Sequence, residues 1–129
     1  MSNEEIIEGN KQYFQDEVNK WMIACFGDTI KNDRVERNFR FLEEAIELVQ
    51  SNGCNRENAH HLVDYVFDRP TGEIRQECGG VMVTLAALAS AAGIDMENCG
   101  SDELKRIWTK IDQIRSKQAA KKIKSGPLP

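Results

Sequence analysis

Two pairs of glutamates have the residue type and spacing of divalent-cation ligands. Glu44 and Glu47 are three residues apart and Glu73 and Glu77 are four apart, so each pair shares one face of a helix. Like charges one turn apart repel unless a cation or solvent separates them. Carboxylate oxygens favour Mg²⁺ or Mn²⁺ over zinc or copper. The two pairs predict an oxygen-ligand metal site between two helices, and a solvated charged face is the alternative.

Several cationic and aromatic residues are candidates for binding an anionic, base-containing ligand. Arg37 and Arg40 align with Glu44 and Glu47 on one helix face, although each could equally be surface charge. Trp21 occupies an apolar helical position, which favours the core over stacking on a base. The substrate-binding candidates are Trp21, Arg37, Asn38, Arg40, Lys110 and Arg115, to which Lys117 is a weaker addition.

The elements that position these residues are helices, because apolar residues recur at intervals of three and four through most of the chain. The periodicity is clearest in the second predicted helix, at about residues 30–50, and no segment shows the alternation of apolar and polar residues that is typical of a strand. A capping box at Ser2 and Glu5 can start the first helix. The predicted fold is all-α, a four- to five-helix bundle. The first predicted helix ends at Gly27–Asp28, the second spans about 30–50, the third starts after Asn55, the fourth spans about 73–92 and the fifth starts at Ser101.

The fourth predicted helix is apolar almost all round in its second half, which predicts a buried central helix. Glu77 should then enter the bundle, where a carboxylate needs a proton or a cation. Gly79 and Gly80 are unusual in a helix interior. They indicate either close helix packing or space for a ligand beside Glu77.

Composition narrows the classes of function. With 17 basic and 21 acidic residues the net charge is −4, which makes nucleic acid an unfavourable partner. The four cysteines form no C-x-x-C pair, and the sequence contains neither a signal peptide nor a membrane-spanning run, so we expect a cytoplasmic protein with reduced thiols.

Residues 1–120 are predicted to form one domain and 121–129 a disordered basic tail. Neither the adjacent His60 and His61 nor Cys78 is favoured as a metal or nucleophile site.

The acidic segments resemble those of a known family. Glu43-Glu44-Ala-Ile-Glu47, followed by Gln76-Glu77-Cys-Gly-Gly80, is similar to the E-E-x-x-E and E-E-L-G-D segments of MazG-like, all-α nucleoside triphosphate pyrophosphohydrolases, which include dimeric dUTPases. The resemblance covers roughly residues 12–118. A tighter likeness is to small phage-encoded members with W-M-x-A-C-F-G, R-N-x-R-F-L-E-E-A and G-G-V-M-V-T-L-A-A-L blocks.

The resemblance implies a Mg²⁺-dependent hydrolase, with Mn²⁺ as a substitute, that converts a (deoxy)nucleoside triphosphate and water to the monophosphate and pyrophosphate. Its catalytic and metal carboxylates carry over to Glu44, Glu47 and Glu77, with Glu73 as a further metal ligand. Such ions would bridge the α- and β-phosphates and activate a water. The phage likeness suggests a purine substrate, dGTP or GTP, in a nucleotide pool. It also implies a homodimer or homotetramer.

The sequence departs from the family at Gly80, where the family has Asp. Glu73 could replace that ligand from the preceding turn, which we favour because it shares the face. The site could instead hold fewer ions, or activity could be impaired. The alternatives are therefore a catalytically weak nucleotide-binding or interaction protein, or a structural bundle whose acids are surface charge.

Overall fold

The computed structural model describes residues 13–123, and every regular element among them is a helix. This confirms the all-α class, although six helices are present where four to five were expected. The capping box at Ser2 and the end of the basic tail lie outside the described residues. The helices are α1 (Tyr13–Lys31), α2 (Arg34–Ser51), α3 (Arg56–Phe67), α4 (Ile74–Ala92), α5 (Met96–Trp108) and α6 (Ile111–Ile123).

Local capping signals set the ends of α3 and α4. The Asn55 side chain accepts a hydrogen bond from the backbone N–H of Asn58 at 2.8 Å, as predicted for the start of α3. Glu73 caps α4 in the same way, and Gly93 ends it in the left-handed conformation at φ 72°. The predicted bounds of α4 are therefore confirmed almost to the residue.

The break predicted at Gly27–Asp28 is a kink within α1. Gly27 has φ 76° and ψ 178°, a conformation that is open essentially to glycine alone. The helical segments on either side are otherwise continuous. A single residue without a Cβ thus allows α1 to change direction.

Replacing Gly27 by Ala or Asn should lower the free energy of unfolding by about 1–3 kcal/mol. The cost comes from the backbone, because a Cβ at this position would meet nothing within 4 Å. Gly93→Asn is the matched control, since φ 72° and ψ 28° form the left-handed region that asparagine tolerates. Urea denaturation at fixed protein concentration measures both, and equal losses at the two positions would contradict the assignment.

The last third of the chain differs from the prediction. The fifth helix begins at Met96 and not at Ser101, because Asp95 Oδ1 accepts a hydrogen bond from the backbone N–H of Asn98 at 2.8 Å and caps it. It ends at Trp108, and a turn at 109–110 separates it from α6. The apolar stripe predicted for one helix is therefore divided between two.

The chain separates into two compact units, residues 1–40 with 100–129 and residues 41–99. In the first unit, α1 packs against α6 and the end of α5. Its core consists of Trp21, Met22 and Cys25. The side chains that surround this core are Val18, Phe26, Leu104, Ile107, Ile111 and Ile114.

The second unit, residues 41–99, buries very little within one chain. Among its described residues only Ala89 is buried, at 3% exposure. The prediction that α4 is a buried central helix is therefore wrong for the isolated chain, since Met82 is 61% and Val83 70% exposed. The helix is apolar enough to be buried, but nothing described covers it.

No single described helix is long and apolar enough to span a membrane. The helices α4 and α5 reach the required length and apolarity only when taken together, and they are bent by 98° relative to each other.

Candidate metal and nucleotide site

One of the two predicted carboxylate pairs, Glu73 and Glu77, lies at the start of α4. Glu73 is the cap, and its Oε2 accepts a hydrogen bond from the backbone N–H of Gln76 at 2.7 Å. Glu77 is in the first turn, where a carboxylate is favoured by the helix dipole. Its carboxylate lies against Gly72, where any Cβ would clash with Glu77 Oε1. Glu73 therefore has a structural role at this helix start, whereas Glu77 is exposed, and the prediction that Glu77 enters the bundle is wrong for the single chain.

The second pair, Glu44 and Glu47, lies exposed on α2 in the same compact unit. Oxygen donors are the right chemical type for Mg²⁺. Within residues 13–123, however, no three acidic, histidine or cysteine side chains are close enough together to hold an ion. The carboxylate oxygens of these glutamates are suitable ligands for a divalent cation, but within one chain they do not lie close enough together to form a site.

Space for a further ligand exists at Gly80. A Cβ at Gly79 or Gly80 would meet no described atom within 4 Å, so neither glycine is explained by close helix packing within the chain. Gly80 follows Glu77 by three residues, which places these two on one face of α4. Glu73 is the cap residue before the helix and has an extended backbone, at φ −105° and ψ 132°, so the expectation that it shares this face is wrong. Position 80, where the MazG-like segments have Asp, is open to a longer side chain.

Arg37 is the most unusual of the predicted cationic residues. Its guanidinium lies 5.7 Å from the centre of the Phe26 ring, and Nη1 is 3.6 Å from the sulfur of Met22. Burial lowers the pKa of Arg37. Its Nε and Nη2 are closed to solvent and donate no hydrogen bond within the described residues, although Nη2 lies 3.9 Å from Glu36 Oε1. Guanidinium donors without a hydrogen-bond acceptor favour an anionic ligand.

Arg40 belongs to a network that sequence reasoning missed. Its Nε is 3.0 Å from Glu36 Oε1, and Gln118 Nε2 donates to the same oxygen at 2.7 Å. Gln118 is 7% exposed, so the network is partly shielded from solvent. The i,i+4 spacing of Glu36 and Arg40 was a visible signal, but only the tertiary structure brings Gln118 to it.

Arg115 has a structural role in this chain. Its Nε donates to the carbonyl of Cys25 at 2.6 Å and its Nη2 to that of Ala24 at 2.8 Å. These carbonyls precede the kink at Gly27, where the helix leaves acceptors unpaired. Lys110, at the turn between α5 and α6, and Asn38, on α2, are exposed.

Trp21 lies in the core of the first unit and not on a surface open to a nucleotide base. It is 7% exposed, its ring meets Phe26 edge to face at 5.7 Å, and its indole N–H donates to the carbonyl of Ile107 at 3.1 Å. Its polar atom is thereby satisfied inside the protein. The core interpretation of Trp21 is the one this geometry favours.

The remaining reactive side chains form no further site within the described range. His60 and His61 are exposed on α3, and no metal-binding group includes them. Cys78 and Cys99 are exposed free thiols, whereas Cys25 is buried. Burial raises the pKa of the Cys25 thiol, which keeps it protonated and unreactive at neutral pH.

Comparison of the chain with protein-family models, with curated proteins and with solved structures finds no match.

Proposed function

We propose that this protein is a metal-dependent nucleotide pyrophosphohydrolase with a MazG-type helical fold. Its substrate is a (deoxy)nucleoside triphosphate, with a purine preference for dGTP or GTP, and its products are the monophosphate and pyrophosphate. The cofactor is Mg²⁺, for which Mn²⁺ can substitute. The reaction takes place in the cytoplasm and shapes a nucleotide pool.

The observation that carries this proposal is the placement of the two carboxylate pairs. Glu44 and Glu47 share one face of α2, Glu77 lies in the first turn of α4, Glu73 is the cap residue before α4, and all four belong to one compact unit. The order and spacing of Glu44, Glu47 and Glu77 resemble those of the MazG-like segments, and oxygen donors alone suit a hard cation. One chain does not gather three such carboxylates among the described residues.

A second feature supports an anionic substrate. Two donor groups of Arg37 have no hydrogen-bond acceptor among the described residues, and its Nη2 lies 3.9 Å from Glu36 Oε1. A guanidinium is the side chain best suited to phosphate oxygens.

The test is release of pyrophosphate from each common NTP and dNTP with Mg²⁺, with Mn²⁺ and with excess chelator. Metal-dependent release of pyrophosphate with formation of the monophosphate supports the proposal, and a preference for dGTP or GTP supports the purine assignment. Release of orthophosphate alone would mean cleavage at a different bond. Absence of turnover with every nucleotide would overturn the enzyme assignment.

The second candidate is a catalytically weak nucleotide-binding protein on the same fold. Gly80 favours it, because the related family has a metal-binding Asp there and this chain has no side chain. Saturable nucleotide binding without turnover, measured by calorimetry in the same buffers, would select this candidate. Binding of neither metal nor nucleotide would leave both assignments without support.

Replacing Gly80 by Asp should tighten Mn²⁺ binding by about tenfold or more, because it adds a carboxylate on the face of Glu77. Space is available, since a Cβ there meets no described atom within 4 Å. Gly79→Asp is the matched control, because adjacent residues on a helix point about 100° apart. Calorimetric titration measures both variants, and equal tightening by the two would show that added charge alone is responsible.

A further inference from the structure

The kink in α1 leaves two backbone acceptors that a side chain of α6 binds. In an unbroken helix the carbonyls of Ala24 and Cys25 accept hydrogen bonds from the N–H groups four residues later. Gly27, with φ 76° and ψ 178°, interrupts that pattern. Arg115 on α6 donates instead, from Nε to the Cys25 carbonyl at 2.6 Å and from Nη2 to the Ala24 carbonyl at 2.8 Å. One guanidinium thus takes the place of two helix N–H groups.

A second side chain of α6 holds the segment that follows the kink. Gln118 lies three residues after Arg115 and is 7% exposed, and its Nε2 donates to Glu36 Oε1 on α2 at 2.7 Å. One short stretch of α6 therefore contacts the chain both before and after Gly27. We call Arg115 and Gln118 together the α6 latch.

The position of Arg37 is linked to the same kink. Arg37 lies on α2, which follows Gly27 in the chain, yet its guanidinium contacts the part of α1 that precedes Gly27. Its Nη1 is 3.6 Å from the sulfur of Met22, and its central carbon is 5.7 Å from the centre of the Phe26 ring. Gly27 is the one described residue of α1 with non-helical dihedral angles. Straightening the helix there would carry α2 away from the first part of α1 and separate Arg37 from both contacts.

Arg37 has unused hydrogen-bonding capacity in this position. Its Nε and Nη2 are closed to solvent and donate no hydrogen bond within the described residues, although Nη2 lies 3.9 Å from Glu36 Oε1. Burial of donors without acceptors is unfavourable. Straightening α1 would return these donors to water or to an anion, so the position of Arg37 itself favours release and the α6 latch opposes it.

We propose that the kink at Gly27 is a two-state switch, which the α6 latch holds closed and which controls the exposure of Arg37. In the closed state the latch is bound and Arg37 packs against α1. In the open state Arg115 is released, α1 continues as a straight helix through Gly27, and the N–H groups of Asp28 and Thr29 replace the guanidinium. The same two carbonyls have donors in both states, so opening leaves neither unpaired.

The switch itself does not depend on the proposed enzymatic function. If Arg37 binds phosphate oxygens, the open state is the one that presents its guanidinium to them, and this consequence alone rests on that function. An anion that binds the open state better than the closed state would shift the equilibrium toward the open state.

The first test measures modification of Arg37 by phenylglyoxal, which reacts with accessible guanidinium groups, by mass spectrometry of the full chain. Arg115→Gln removes the two hydrogen bonds to α1 and should speed modification of Arg37 by about tenfold, because two exposed hydrogen bonds shift an equilibrium by about that factor. Arg34, exposed at the start of α2, is the internal reference and should react at one rate in every variant. Lys117→Gln is the matched control, since it removes one positive charge from an exposed position of α6 and leaves the latch intact.

The second test is hydrogen exchange of the backbone amides of Asp28 and Thr29, which distinguishes straightening from unfolding. Gly27→Ala favours the straight helix, because alanine is strained at φ 76°. In the double variant with Arg115→Gln, both amides should exchange at least about tenfold more slowly than in the wild type, since each gains a carbonyl acceptor. Unfolding of α1 would instead speed exchange along the whole helix.

Three outcomes would overturn the proposal. The first is unchanged modification of Arg37 in Arg115→Gln, which would mean that the latch does not control its exposure. The second is equal acceleration in Lys117→Gln, which would assign the effect to charge alone. The third is faster or unchanged exchange of Asp28 and Thr29 in the double variant, which would mean that α1 does not straighten.

Discussion

Glu47→Gln and Glu77→Gln are each expected to lower metal-dependent pyrophosphate release by at least about 100-fold. Glutamine keeps the size and one oxygen of each side chain but removes the charge that binds a divalent cation. Even the outer-shell partners of a metal ligand typically contribute 10–100-fold, so loss of a direct ligand should cost more. Pyrophosphate release with saturating Mg²⁺ is the measurement, with helix content checked by circular dichroism.

Glu57→Gln is the matched control for these variants, because Glu57 is an exposed acid in the first turn of α3, outside both carboxylate pairs. It should retain wild-type activity. If Glu47→Gln and Glu77→Gln also retain activity, the site lies elsewhere in the protein.

Glu73→Gln asks a separate question, which is whether Glu73 replaces the Asp absent at Gly80. The amide oxygen of glutamine can still accept the hydrogen bond from the backbone N–H of Gln76, so the cap of α4 is preserved. A loss of activity would therefore report the lost charge and not an unravelled helix start. Unchanged activity and unchanged Mn²⁺ affinity would remove Glu73 from the metal set.

The largest expected effect on stability is that of Trp21→Ala, which should lower the free energy of unfolding by about 3–5 kcal/mol. The side chain is 7% exposed and forms the core of the first unit with Met22 and Cys25. Its removal leaves a cavity and also leaves the carbonyl of Ile107 without its indole donor. Urea denaturation followed by circular dichroism, at one protein concentration, measures the loss.

Two further variants separate a core role from base stacking. Trp108→Ala removes the other tryptophan, which is 42% exposed, and should cost much less stability than Trp21→Ala. Trp21→Phe keeps an aromatic ring but loses the hydrogen bond, at a cost of about 1 kcal/mol for that bond. If Trp21→Phe instead leaves stability intact and weakens nucleotide binding, the core assignment is wrong and Trp21 stacks on the base.

The parts of the fold that could be predicted are those with short-range causes. Asn55 at the start of α3, Gly93 at the end of α4 and the break at Gly27 each act through hydrogen bonds or dihedral angles within a few residues. The predicted start of the fifth helix is wrong, because two residues that can cap a helix, Asp95 and Ser101, lie close together in the sequence. Ser101 predicts a helix start, but Asp95 caps the helix, which begins at Met96, five residues before Ser101.

The candidate site was predictable only in part, because residue type and spacing do not specify partners. The sequence places Glu44, Glu47, Glu73 and Glu77 on helix faces, and the structure confirms the helices that carry Glu44, Glu47 and Glu77, whereas Glu73 is the cap residue before α4. It does not bring three of these carboxylates together among the described residues. Their assignment as metal ligands thus stays a prediction for the variants above.

The sequence by itself determined that this chain is helical and where most of its helices begin and end, since periodicity, caps and glycines act locally. Only the tertiary structure decided which apolar faces are covered and which polar groups meet. Trp21 and Arg115 became structural because α5 and α6 approach α1. The apolar α4 remained exposed, because burial depends on a second surface that a helix cannot supply for itself.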